Sequence, residues 1–224
     1  MTRLPALSAS ILSPALAVAL GLPLSLGCHH EKPTTTPVDT AATPAGATGI
    51  DAELASIAAK PGVATKFKLR IDASGAIQKQ SLYHGDAAAI PEAAKAKALA
   101  KWPGSTVHRF ETELYAEHGR VHEVEVKTAE GGVCELAVKA DGTDLYEECQ
   151  IAADQLPAAV AAKVTELFPQ GKVLEAETKR GPNMDELTIE VESNGQEFYL
   201  RVKPDGTVLA KLVRIPGVFE VPVP

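Results

Sequence analysis

Val138-Lys139-Ala140-Asp141-Gly142-Thr143 returns as Val202-Lys203-Pro204-Asp205-Gly206-Thr207. A repeat at this spacing means that one small unit is used more than once, and this decides the architecture. Working outward, Ile90-Pro91-Glu92-Ala93-Ala94 matches Leu156-Pro157-Ala158-Ala159-Val160, and Trp102-Pro103 matches Phe168-Pro169. Pro91 and Pro157 suit a first helical turn, where a missing N–H is harmless. Val160, Val164 and Leu167 mark one apolar helix face. The aromatic before each later proline closes the helix, because proline pushes its predecessor to extended angles.

Strands follow each helix. Leu187, Ile189 and Val191 alternate with polar residues, as do Phe198, Leu200 and Val202 beyond Asn194-Gly195. A two-residue Asn-Gly turn places Val191 opposite Phe198, Ile189 opposite Leu200 and Leu187 opposite Val202. All are apolar on one face, so the register is self-consistent. The earlier copy sets Val126 against Cys134, Val124 against Leu136 and His122 against Val138. The Asp-Gly pairs then read as type I turns with glycine left-handed. Phe67-Lys68-Leu69-Arg70-Ile71 mirrors Phe198-Tyr199-Leu200-Arg201-Val202. It implies a further hairpin near 64–83, with 51–59 as a helix remnant. The expected fold is α+β, tandem units of one helix packed on an antiparallel β-sheet. The expected boundaries are a partial repeat at 50–89, units at 90–155 and 156–215, and a Pro-rich tail at 216–224.

The pattern of a Leu-Pro-initiated helix, an aromatic-Pro stop, a hairpin and an Asp-Gly turn resembles the PepSY-like modules. These include the beta-lactamase-inhibitor-like domains of secreted bacterial proteins. The resemblance spans about 90–215 and implies a helix on an antiparallel sheet, and binding of another protein. It transfers no inhibitory residue, because the matching positions are turns and core.

The amino end reads as an export segment. Arg3 precedes an apolar run that ends in Leu24-Ser25-Leu26-Gly27-Cys28. This resembles a bacterial lipoprotein signal peptide over 1–27, with Cys28 as the lipid-bearing residue. Ser25 departs from that pattern, and the other readings are a secretory peptide cut elsewhere or a single membrane anchor. Residues 28–49 form a Pro- and Thr-rich tether. His29 follows Cys28 where an Asp would retain the protein at the inner membrane, so the outer membrane is favoured. The expected location is the cell envelope, on the periplasmic face or the cell surface.

Cys134 and Cys149 lie 15 residues apart around Asp141-Gly142. A symmetric turn sets them directly opposite and a bulged turn diagonally. In an exported chain they form a disulfide; free thiols are the other outcome.

Composition narrows the function. The formal net charge is -7, and aromatics make up only 4% of the residues. Without a basic patch, nucleic acid is no partner. Gly-rich phosphate loops and a Gly-x-Ser-x-Gly elbow are missing, so no enzyme or cofactor is expected. No metal site is expected either: His29 and His30 open the tether, His118 falls in a turn, and His122 takes the place of Leu187. Glu111, Glu113, Glu123 and Glu125 alternate along strands. They read as a solvated sheet face and as the candidate partner-binding face. The sequence therefore points to a non-catalytic, lipid-anchored envelope module that binds or modulates a protein, in the manner of an inhibitor. The alternative is an envelope carrier or structural lipoprotein for an apolar ligand, housed under the Ala-rich first helix.

Overall fold

The computed structural model describes residues 49–60 and 62–220. The export segment and Cys28 lie outside them. Helix α1 (Ala52–Ala58) leads into β1 (Ala64–Ile71) and β2 (Ile77–His84). After a 3-10 turn come α2 (Glu92–Lys101), β3 (Thr106–Tyr115), β4 (Gly119–Lys127), β5 (Val133–Lys139) and β6 (Asp144–Gln150). A second 3-10 turn introduces α3 (Ala158–Leu167), β7 (Lys172–Gly181), β8 (Met184–Ser193), β9 (Gln196–Val202) and β10 (Val208–Arg214).

All ten strands join one antiparallel sheet, in the order of the chain. This corrects the expectation of tandem helix-on-sheet units. The two four-strand groups are welded where β6 pairs with β7, from Glu147 opposite Arg180 to Gln150 opposite Glu177. The local readings survive inside that sheet. Val191 faces Phe198, Ile189 faces Leu200 and Leu187 faces Val202. Val126 faces Cys134, and Cys134 faces Cys149, to which it is disulfide-bonded with the Cα atoms 4.1 Å apart.

The helices start directly after Pro91 and Pro157 and stop at Trp102 and Phe168, which act as their C-caps. Both helices cover the same face of the sheet. Ala94 and Ala98 of α2 are buried with Phe110, Val124, Val126, Leu136 and Val138. Val160 and Val164 of α3 are buried with Phe168, Leu187, Ile189, Val191, Leu200 and Val202. In the Asp-Gly turn after β9, Gly206 has φ of 86° and lies against the first turn of α3. A Cβ there would come 2.9 Å from the Ala159 carbonyl oxygen.

A strongly twisted sheet of about ten strands must curl or split, and this one curls away from its helices. Arg70 on β1 reaches within 4.8 Å of the Tyr199 ring on β9, although seven strands lie between them in the sheet order. On the helix-bearing face, Phe67 on β1 meets Phe219 beyond β10, ring to ring, at 5.6 Å. The apolar face is thus turned outward under α2 and α3, and the polar face is wrapped inward.

Candidate functional site: the carboxylate-lined concave face

Strand alternation sends every second residue into the concave side. On β3 and β4 these include Arg109, Glu111, Glu113, Tyr115, Val121, Glu123 and Glu125. Cross-strand pairing then brings like charges together. Glu111 lies opposite Glu123, and Glu125 opposite Glu135. Glu135 in turn lies opposite Glu148, and Glu175 opposite Glu190. Directly opposed like charges destabilise a sheet, so the surroundings must compensate.

The four carboxylates expected on a solvated face are enclosed. Glu111, Glu113, Glu123 and Glu125 are each at most 4% exposed. The curl is the reason: a face open to water in a flat sheet becomes an interior when β1 swings toward β9. The structure brings the four together on one face, as their alternation implies. It adds Glu135, Glu148 and Glu186, also buried, which the sequence did not single out.

Cations enter from both flanks. Lys79 forms an ion pair with Glu113. Arg109 lies 2.6 Å from Glu125 and 3.2 Å from Glu135. Lys179 lies 3.2 Å from Glu148 and stands over the Tyr146 ring. Arg201 donates two hydrogen bonds of 2.9 Å to Glu186, one to each carboxylate oxygen. Hydroxyls complete the lining. Ser81 donates to Glu113 at 2.7 Å, and the Tyr146 hydroxyl, with its one proton, lies 2.5 Å from a Glu123 oxygen and 3.2 Å from a Glu113 oxygen.

These neighbours set the proton affinities. Burial alone would raise the Glu113 carboxyl, but the Lys79 ammonium and donors from Lys79 and Ser81 hold it at about 2. Burial pushes Glu111 up to about 6 against the pull of Lys68, and Glu113 adds to the rise. Glu123 is raised well above the usual carboxylate range by burial and by Glu113 and Glu111. Glu135 is raised likewise by burial and by Glu123, Glu177 and Glu148. Glu177 on β7 is pushed up to about 8 by burial, Glu148 and Glu175.

Two groups of oxygens are close enough to share an ion. One oxygen each from Glu111, Glu113 and Glu123 lies within 4.8 Å of the others, and the same holds for Glu123, Glu135 and Glu148. The sequence reading sought metal ligands among the histidines. The signal it passed over was the turn at His118-Gly119, whose hairpin sets Glu111 beside Glu123. Of the histidines, His122 lies opposite Val138 on the helix-bearing face, its Nδ1 3.4 Å from the Thr112 hydroxyl. His84 meets the same hydroxyl at 2.8 Å.

The space expected under the Ala-rich helix is taken up by the helix itself. Ala94 and Ala98 are 3% and 0% exposed, and their small side chains let α2 lie close on β4 and β5. The described clefts lie at the rim. One of about 620 Å³ is lined by the β7–β8 turn, from Gly181 to Asp185, and by Lys203, Pro204 and Asp205.

No family model and no curated protein matches the chain. Among solved structures, a BLIP-like protein from Bacteroides fragilis is similar at 19% identity and a TM-score of 0.44. That match covers 59% of this chain and 94% of that one. A periplasmic protein from Bacteroides eggerthii is similar at 15% identity and a TM-score of 0.45, covering 55% and 88%. A DUF2874 family protein from Bacteroides uniformis is similar at 13% identity and a TM-score of 0.45, covering 55% and 89%. Likeness at these values carries no functional argument.

Proposed function

We propose that this chain is a non-catalytic, lipid-anchored binding module of the cell envelope, which takes up an extended segment of a protein partner along β10. The observation that carries the reading is the distribution of exposed apolar side chains. Six of the ten large ones among the described residues, Val208, Leu209, Val213, Ile215, Val218 and Phe219, fall on β10 or just beyond it. β10 is also an outer strand of the sheet, paired only with β9. Such an edge presents unpaired backbone donors and acceptors, a template for strand addition. Clustered apolar exposure beside it supports a protein surface as the occupant. The anchor is the lipid on Cys28, supported by the Leu24-to-Cys28 pattern and the tether that follows it.

The test is photocrosslinking from Val213 in the full-length chain in its native envelope. A protein adduct is expected, and it should disappear when Leu209→Lys is added while the circular dichroism spectrum stays unchanged. Adducts to lipid alone would refute the reading. Palmitate labelling tests the anchor: it should be lost in Cys28→Ser, and retained label would remove that part.

A further inference from the structure

We propose that Glu111, Glu113 and Glu123 form a binding site for one divalent, oxygen-preferring metal ion, of the type of Ca²⁺ or Mn²⁺. Glu111 and Glu123 are direct cross-strand partners, and Glu113 is the next residue on the same face of β3. Their oxygens converge within 4.8 Å, and none of the three side chains is more than 4% exposed. Convergence of acids alone would prove little. The second observation is an orphaned atom: Oε2 of Glu111 is fully buried and has no hydrogen-bond partner. A buried carboxylate oxygen without a donor is costly to keep, and a bound cation removes that cost.

Charge balance points the same way. Six buried carboxyl groups on β3 to β6 face five cationic side chains, Lys68, Arg70, Lys79, Arg109 and Lys179, so acids outnumber bases on this face. The available donors are carboxylate and hydroxyl oxygens, with Tyr146 and Ser81 adjoining Glu123 and Glu113. Oxygen-only surroundings select hard ions over zinc, which favours nitrogen and sulfur. Mg²⁺ gives up its waters reluctantly, so an enclosed site suits Ca²⁺ or Mn²⁺ better.

The experiment uses the full-length protein, stripped with EDTA and titrated separately with Ca²⁺ and Mn²⁺ by calorimetry. Elemental analysis gives the stoichiometry. One ion per chain is expected, with a melting temperature several degrees higher in the ion than in chelator. Glu111→Gln and Glu123→Gln should each weaken binding at least tenfold, while Glu175→Gln, concave but on β7, should bind like the wild type. Glu148→Gln separates the two oxygen groups. If it abolishes binding and Glu111→Gln does not, the assignment is overturned. A wild type that binds neither ion, with carboxylic-acid infrared bands at neutral pH unchanged by the ions, means that protons fill the site and also overturns the proposal. The wild-type titration decides even if a variant does not fold.

Discussion

Replacing Cys134 and Cys149 together by alanine should lower the melting temperature by roughly 6–12 °C. The two residues close a loop of 15 residues, and a loop of that length is worth about 3 kcal/mol in the chain-entropy model. A domain of this size loses about 2–4 °C per kcal/mol. The loss should also be local. Next to the bridge the ladder sets Glu135 against Glu148 on the opposite face, and then Leu136 against Glu147 on the bridge's own face. Beside the bridge, side-chain pairing therefore gives this hairpin little of its own, and the covalent bond holds two strands whose carboxyl groups face each other; apolar pairing resumes at Ala137 opposite Tyr146. Hydrogen exchange should report it: amides of β5 and β6 should exchange faster in the double variant, while those of β8 and β9, paired through apolar residues, change less. Thermal melts and exchange on both proteins decide the matter. A fall below about 2 °C, or acceleration spread evenly over all strands, would refute the reasoning.

Three further outcomes are expected. Glu177 has a folded pKa of about 8, raised above its ordinary value, so the folded chain holds a proton that the unfolded chain releases. Stability should fall as pH rises from about 4.5 to 8, by about 2–3 kcal/mol after allowance for partial exposure, and Glu177→Gln should flatten the profile in melts taken across that range. Arg201→Met strands the buried carboxylate of Glu186 and should cost about 3–5 kcal/mol by denaturant titration, whereas Arg201→Lys should cost less. Gly206→Ala combines a left-handed φ with a Cβ contact to Ala159, while Gly195→Ala has the φ but open space around it. The first should therefore be the more destabilising, about 2–3 against about 1 kcal/mol in the same titration.

Hairpins were legible because their signals are local. Asn194-Gly195 fixes a turn, alternation fixes the faces, and together they give the register from Leu187 to Val202 without any knowledge of the rest. The bridge between Cys134 and Cys149 followed from the same arithmetic. The joining of β6 to β7 was not legible. Its partners, such as Glu148 opposite Lys179 and Cys149 opposite Thr178, carry no turn between them and share no run of apolar residues. The site was half legible. Glu111, Glu113, Glu123 and Glu125 stood out by alternation, but a period of two looks alike whether the polar face meets water or its own far end. What encloses it is the approach of Arg70 to Tyr199 across the curl, a contact between strands remote in sequence that no local pattern encodes. Lys79, Tyr146 and Lys179, which answer the carboxylates, were invisible for the same reason.

Strand order that equals chain order has a kinetic meaning. Each strand needs only its predecessor in order to pair, so the separation between partners stays short and little loop-closure entropy opposes any single step. Most all-β architectures wait for distant segments to meet. Here the sheet can grow from hairpin to hairpin, each new strand laid on the edge left by the last. Only the final wrapping, which buries the charges, couples the first strand to the last. Secondary structure should therefore form early, and the ion pairs of the interior should close in a later, separable step that depends on salt.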